Sequence, residues 1–483
     1  MVRRDAFIPA AGFKGRRSSF RRTASLAAMV VGCMALSQPV FAETISGALA
    51  RAYGYNPDLN ATRAGGRATD ENLPTALSGY RPTITATADA GISYQESSLG
   101  GVNTSRTTQP RGVGLSVTQN IWNGNRTANG VSRAESQILQ AREQTRLSEQ
   151  NILSNGATSY MNVLRDTAIL NLRRNNVEVL EQQLRQTRDR FQVGEVTRTD
   201  VAQAEASLAQ GQADAFTAQS NLQTSIANFR QTIGVEPTNL QPARPLDKLV
   251  PRSLKAAIAL SELEHPSIQS ARHNVDAASL NVKVIEGQLY PTIGLTGSLT
   301  RRYDVASGSG NSSSSAGRTD TLGASIVTSL SVPIYEGGAV YSAVRQAKEL
   351  LSQAQLQADL QRETIRALVV SNWGAWVNSS SVIQAAQAQV RAAEIALNGV
   401  REEAKVGQRT TLDVLNAQQL LLNARVQLVT AQRDRVVGSY ALLASVGQLS
   451  ASTLGLHVVK YDPTIHFDQV KGKWIGTGTP DGR

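Results

Sequence analysis

Residues Val406–Gln418 read VGQRTTLDVLNAQ, and Val193–Glu205 read VGEVTRTDVAQAE, a near-copy 213 positions earlier. Each copy has the same order of chemistry. A glycine (Gly194, Gly407) stands where a helix stops, because glycine takes the left-handed conformation without steric cost. A threonine (Thr197, Thr410) follows, with an aspartate (Asp200, Asp413) three residues on. That Thr-x-x-Asp spacing is a capping box, in which the acid also favours the positive end of the new helix. The phrase is therefore a tight turn between two helices, and both aspartates have a structural role before any functional one.

Working outward, the duplication extends over most of the chain. NPDLNATRA at Asn56 matches HPSIQSARH at His265, and YRPTITATA at Tyr80 matches LYPTIGLTG at Leu289, both offset by 209. QNIWNG at Gln119 matches VPIYEG at Val332, offset by 213. The four extra residues fall in a loop that holds SGSGNSSSSAG, Ser307–Gly317, a low-complexity segment that reads as flexible. Each copy reads helix, two strands, long helix, helix. Helical spacing runs from Ala48 to Leu77, with Pro57 near its start.

Four stretches then alternate with period two: Ile84–Ile92, Val113–Ile121, Ile293–Leu299 and Leu322–Ile334. Strands of about ten residues with one apolar and one Thr/Ser/Gly face fit a tilted membrane crossing. A soluble two-sided sheet would show the same alternation. The flanks favour the membrane: Tyr94 and Tyr303 occupy equivalent places at the loop ends, and Trp122 and Tyr335 at the helix ends, as two interfacial girdles require. Four strands cannot close a barrel, and an open edge in hydrocarbon leaves backbone groups unsatisfied, so the chain must oligomerise.

After each hairpin the period changes to alternating threes and fours. Val131, Ala134, Ile138 and Ala141 answer Val344, Ala347, Leu351 and Ala354, and Ala204, Leu208 and Gly211 answer Ala417, Leu421 and Ala424. Sustained heptads with small residues on the seam mean coiled-coil packing. The long helix spans about 95 Å at 1.5 Å per residue, and its shorter neighbours would match it when stacked end to end. The parts are those of a tube.

Composition narrows the function classes. The net charge is +11, but seven basic residues lie in the first 22 positions, ahead of an apolar run and the small-residue site VFA. Residues 1–42 read as a secretory leader, whose removal lowers the charge to +5 and leaves no basic field for nucleic acid. Cys33, the only cysteine, lies in that leader; VVGC faintly resembles a lipoprotein site but lacks its usual leucine. The four histidines show no ligand spacing, and P-loop, nucleophile-elbow and dinucleotide motifs are absent. No catalytic, metal or cofactor site is expected.

The tandem halves, the NP helix start at Asn56–Pro57 and VGxxTxxDV in each copy together resemble TolC-type outer-membrane efflux proteins, over nearly all of the chain after the leader. The resemblance implies an α+β membrane protein with four strands per chain in a trimeric 12-stranded barrel, continued by a long α-helical barrel of coiled coils through the periplasm. It implies a homotrimeric duct for tripartite efflux or type I secretion, bound to outer-membrane lipid, a periplasmic adaptor and an inner-membrane pump. At the periplasmic gate it assigns a latch to Arg409 and Asp200 and a pore carboxylate to Asp413. The second pore carboxylate of the family falls on Asn416, and a latch tyrosine on Ala404, so the charge ring is weaker here. Gly194, Thr197, Gly407 and Thr410 would meet the adaptor. The expected division is leader 1–42, repeat 1 at 43–234, an equatorial connector at 235–264, repeat 2 at 265–447, and an equatorial segment with a loosely ordered tail at 448–483. A trimeric coiled-coil adhesin and a periplasmic scaffold are the rival readings; in the adhesin the strands would lie together at the C-terminus.

Overall fold

The computed structural model describes residues 43–309 and 317–480. The expected leader with Cys33, and the centre of the low-complexity loop, fall outside the described residues.

Repeat 1 begins with α1 (Ile45–Tyr55), α2 (Pro57–Asp70) and α3 (Asn72–Leu77), then a 3-10 turn (Ser78–Tyr80). It continues through β1 (Thr83–Ala90), β2 (Ser93–Leu99), β3 (Val102–Thr108) and β4 (Arg111–Trp122) into α4 (Arg126–Gln192) and α5 (Arg198–Ile233). α6 (Leu254–Glu264) lies within the expected connector, where it answers α1 at the offset of 209; repeat 2 continues through α7 (Pro266–Glu286), a second 3-10 turn (Gly287–Leu289), β5 (Thr292–Ser309), β6 (Gly317–Ser331), α8 (Ala339–Lys405) and α9 (Thr411–Val446). A short α10 (Pro463–Val470) follows. Both long helices have 67 residues and both return helices 36, so the duplication is kept to the residue.

Two expectations need correction. The single helix over 48–77 is three, because Pro57 cannot continue α1; Asn56 instead caps α2, its side chain accepting from the Asp58 and Leu59 amides at 2.9 and 3.3 Å. The last strand stops at Ser331 rather than reaching Ile334, since Pro333 has no N–H to continue the ladder.

The four expected strands are present as six ladder segments. β1 with β2 is one strand interrupted at Gly91–Ile92, and β3 with β4 is one interrupted at Gln109–Pro110. The Gly91 amide donates to the Pro110 carbonyl at 2.9 Å across the interruption, so the pairing stays in phase. The hairpin registers carry the sequence offsets: Thr83 opposite Thr118 in the first becomes Thr292 opposite Ser331 in the second. β4 pairs antiparallel with β5, joining hairpins that are far apart in sequence into one sheet. Rows of like chemistry cross it. Ala86, Leu115, Leu299 and Ala324 align on one face, and Thr85, Ser116, Ser298 and Ser325 on the other. Both faces are exposed to a degree no soluble core sheet would show.

Along the long helices, α5 and α7 both pack on α4, while α7 and α9 pack on α8; α9 also reaches α4. Four of the six buried positions on α5, Ala204, Gly211, Ala218 and Ser225, recur every seven residues. The main core lies midway along the chain's helices, where Leu49, Leu153, Tyr160, Phe229, Ile233, Tyr440 and Leu443 meet the connectors. There the Tyr160 hydroxyl contacts the carbonyls of Glu43 and Gln241 at 2.7 and 2.6 Å, tying the start of repeat 1 to the connector after it. Burial pushes that phenol up to about 12, so it stays a hydrogen-bond donor at physiological pH.

Candidate functional site

At the helical tip each turn is built as its sequence dictates. Gly194 and Gly407 take φ of 81° and 79°, and the Glu195 and Gln408 amides bond back to Arg190 and Glu403 carbonyls, both at 2.9 Å. The Thr197 amide and hydroxyl donate to Asp200 Oδ2 at 2.9 and 2.7 Å, and the Asp200 amide returns to Thr197 Oγ1 at 3.3 Å. Asp413 repeats this with Thr410, at 3.0, 2.9 and 3.2 Å. The Thr197 hydroxyl and amide hold the Asp200 carboxyl below its ordinary range; at Asp413 the Thr410 amide leads and its hydroxyl follows.

The gate residues are only partly brought together within a chain. Arg409 lies close enough to Asp413 to feel its charge, but its Nε donates to Glu403 Oε2 at 2.8 Å rather than to Asp200. Asp200 has Thr197 and, at longer range, Arg190 as its partners. Asn416 lines a groove between α5 and α9 with Gln203, Ala206, Ser207 and Leu415. Ala404 packs into a small apolar cluster with Ala393, Leu397 and Val414, where no hydroxyl is available for a latch. Sequence reasoning missed Glu403. Its signal was present: Glu403 and Arg409 flank Gly407, as Arg190 and Glu195 flank Gly194, and the earlier pair also bonds, at 2.9 Å.

At the other end, register places the girdle aromatics. Tyr303 lies opposite Arg111 and Trp122 opposite Ile293, both on the apolar face; Tyr94 continues the row of Ile84, Ala86 and Ala88. Tyr335 follows β6 and is exposed. Below the strands the repeats meet closely. A Cβ on Gly287 would lie 2.7 Å from the Gly124 carbonyl oxygen and one on Gly124 2.9 Å from Tyr290 Cβ, so neither position has room for a side chain.

Among the described residues no helix is long and apolar enough to cross a membrane, and no cluster of His, Asp or Glu could hold a metal. A sheet with one lipid-compatible face, set on long paired helices that end in capped turns, defines a duct-forming transport protein of the outer membrane that extends into the periplasm. The chain belongs to the outer membrane efflux protein family, whose model matches residues 48–235 and 257–448, one match per repeat. It is 40% identical over 460 residues to the outer membrane efflux protein BepC of Brucella suis, covering 95% of this chain and 97% of that one. It is 28% identical over 432 residues to outer membrane protein TolC of Escherichia coli, covering 88% and 85%. Among solved structures, the outer membrane channel CmeC of Campylobacter jejuni superposes with a TM-score of 0.71 at 17% identity, over 89% of each chain.

Proposed function

We propose that three copies of this chain close one duct, which joins a periplasmic adaptor and an inner-membrane pump to export toxic compounds or proteins from the cell. The number three follows the family; the need for neighbours follows from this chain. What carries the reading is that repeat 2 lacks, on its outer side, the partners that repeat 1 has on the same side. Gly124 is crowded by the turn of repeat 2, whereas its equivalent Gly337 has no atom within 4 Å of an added Cβ. β4 is paired on both edges, whereas its equivalent β6 pairs only with β5 among the described residues, and β1 only with β4. On α8, Leu356 and Leu360 are exposed, whereas their equivalents on α4, Glu143 and Leu147, are partly buried.

The contact inside the chain is the template for the one between chains. Moving the β4–β5 register by the two sequence offsets sets β6 against β1 of the next copy, with Leu330 opposite Ala88 and Thr328 opposite Ala90. This register keeps apolar rows on one face around the whole barrel. In such a duct the capped turns form the periplasmic mouth, where Asp413 supplies a ring of carboxylates and Gly194, Thr197, Gly407 and Thr410 face the adaptor. Cysteines at Ala90 and Thr328, and separately at Asp89 and Ser329, test the arrangement. Adjacent antiparallel pairs alternate in spacing, so at least one pair should give disulfide-linked dimers and trimers on oxidation of intact envelopes. Linkage only between positions shifted along β6, or a monomer under all conditions, would sink it.

A further inference from the structure

Composition makes the segment after α10 a loosely ordered tail, yet its described residues, 471–480, have definite partners. α10 packs on α2 through His466 and Asp70, a buried pair 2.9 Å apart. Beyond it, the Lys473 amide bonds to the Val470 carbonyl at 2.9 Å, and Lys473 Nζ donates to the Gly478 carbonyl at 2.8 Å. The chain then reaches the base of the barrel. Arg81 Nη1 donates to the Lys473 carbonyl at 2.8 Å, and the Arg81 guanidinium stacks on the Trp474 ring at 4.5 Å. Arg81 stands two residues before β1.

The repeat explains why that place matters. The equivalent of Arg81 in repeat 2 is Tyr290, two residues before β5, at the level of Gly124 and the girdle residue Trp122. Repeat 1 has a cation where repeat 2 has an aromatic, and the tail lays Trp474 over that cation. Trp474 is 68% exposed and Ile475 91% exposed, beside Lys471 and Lys473. Both lysines precede this pair and are held within the tail, Lys471 by Asp468 at 2.7 Å and Lys473 by the Gly478 carbonyl. An exposed tryptophan beside an exposed isoleucine, level with an aromatic girdle, matches the interfacial zone of a bilayer, where the indole sits among headgroups.

We propose that Trp474 and Ile475 dock into the periplasmic leaflet of the outer membrane, completing the inner girdle at the position where repeat 1 carries arginine. The partner is phospholipid, and the proposal rests on the barrel standing in that membrane. The test uses full-length protein in phospholipid vesicles, with a fluorescent label at a single cysteine in a Cys33→Ser background: Ile475→Cys, Leu322→Cys on the apolar face of the barrel, or Val459→Cys as an exposed reference. Lipids spin-labelled near the headgroup should quench the label at 475, and aqueous iodide should quench it several-fold less than at 459. Adding Trp474→Ala should raise iodide access at 475, and Trp474→Phe should restore protection. Quenching by iodide alone places the tail in water and overturns the proposal, as does protection from both quenchers, which would mean a neighbouring subunit covers it. Loss of lipid quenching at 322 as well would overturn the barrel placement and this proposal with it, whereas loss at 475 alone removes only the tail anchor.

Discussion

Arg409 spends its guanidinium on Glu403, 2.8 Å away across Gly407, within the same turn of the same chain. A latch from Arg409 to Asp200 therefore has to compete with a partner that is local and always available. The two neighbours predict opposite effects. In the proposed gate, Arg409→Ser would remove the latch and should raise single-channel conductance and drug leakage. Glu403→Gln releases Arg409 toward Asp200 and should lower both. Equal conductance in the two variants and the parent would leave Arg409 as a turn residue only.

In the proposed mouth, Asp413→Ala should reduce the cation-to-anion permeability ratio in planar bilayers several-fold, since Asn416 would add no second charge to the ring. The same residue sets a pH window. Its carboxyl is held below its ordinary 3.8 by the Thr410 amide and hydroxyl, so it remains ionised as pH falls to that value. A depressed folded pKa means that the capping contribution is fully present above the unfolded value and is lost only as pH drops through the lower folded one. Cation preference should persist at pH 4.5 and fade below 3.8. A loss of preference centred well above that would mean that another group carries the selectivity.

The capping box can be tested apart from the pore. Thr410→Ala removes the side-chain acceptor for the Asp413 amide and should cost about 1 kcal/mol at the helix start, or roughly fivefold faster hydrogen exchange there. Amides of α9 beyond its first turns should keep their protection. An unchanged rate at the Asp413 amide would show that the turn is held by contacts other than the cap.

Much of this architecture was legible because duplication turns one ambiguous pattern into two agreeing ones. A single alternating run such as Ile84–Ile92 fits several sheets, but its hairpin partner and its copy share one register, and only a sheet used twice keeps offsets of 209 and 213 through both. The turns were legible because glycine, threonine and aspartate each answer a local backbone demand. What escaped was set by distance. The Glu403 pair depends on how tightly the turn closes, and the docking of Trp474 on Arg81 on a contact 393 positions apart in the chain. The adhesin reading fails at β4–β5, where hairpins set between helices become neighbours.

His265 offers the last test, because the repeat supplies its own control. The imidazole Nδ1 accepts from the Ser267 amide at 3.2 Å and caps α7, while the residue is 4% exposed and its Cα would lie 2.7 Å from a Cβ on Gly447. Burial, with the nearby Arg146 charge, pushes its pKa down from 6.5 to about 4. The neutral ring is the form that fits, so stability from this site is complete above pH 6.5 and is lost as pH falls toward 4, where the unfolded chain gains a proton that the folded one refuses. The loss amounts to about 3 kcal/mol per chain at about 1.4 kcal/mol per unit. Asn56 caps α2 at the equivalent position without titrating. His265→Asn should therefore keep the helix start and flatten the acid limb of the denaturation profile between pH 6.5 and 4. If the variant and parent lose stability equally over that range, the acid sensitivity lies in other groups and His265 is only a cap.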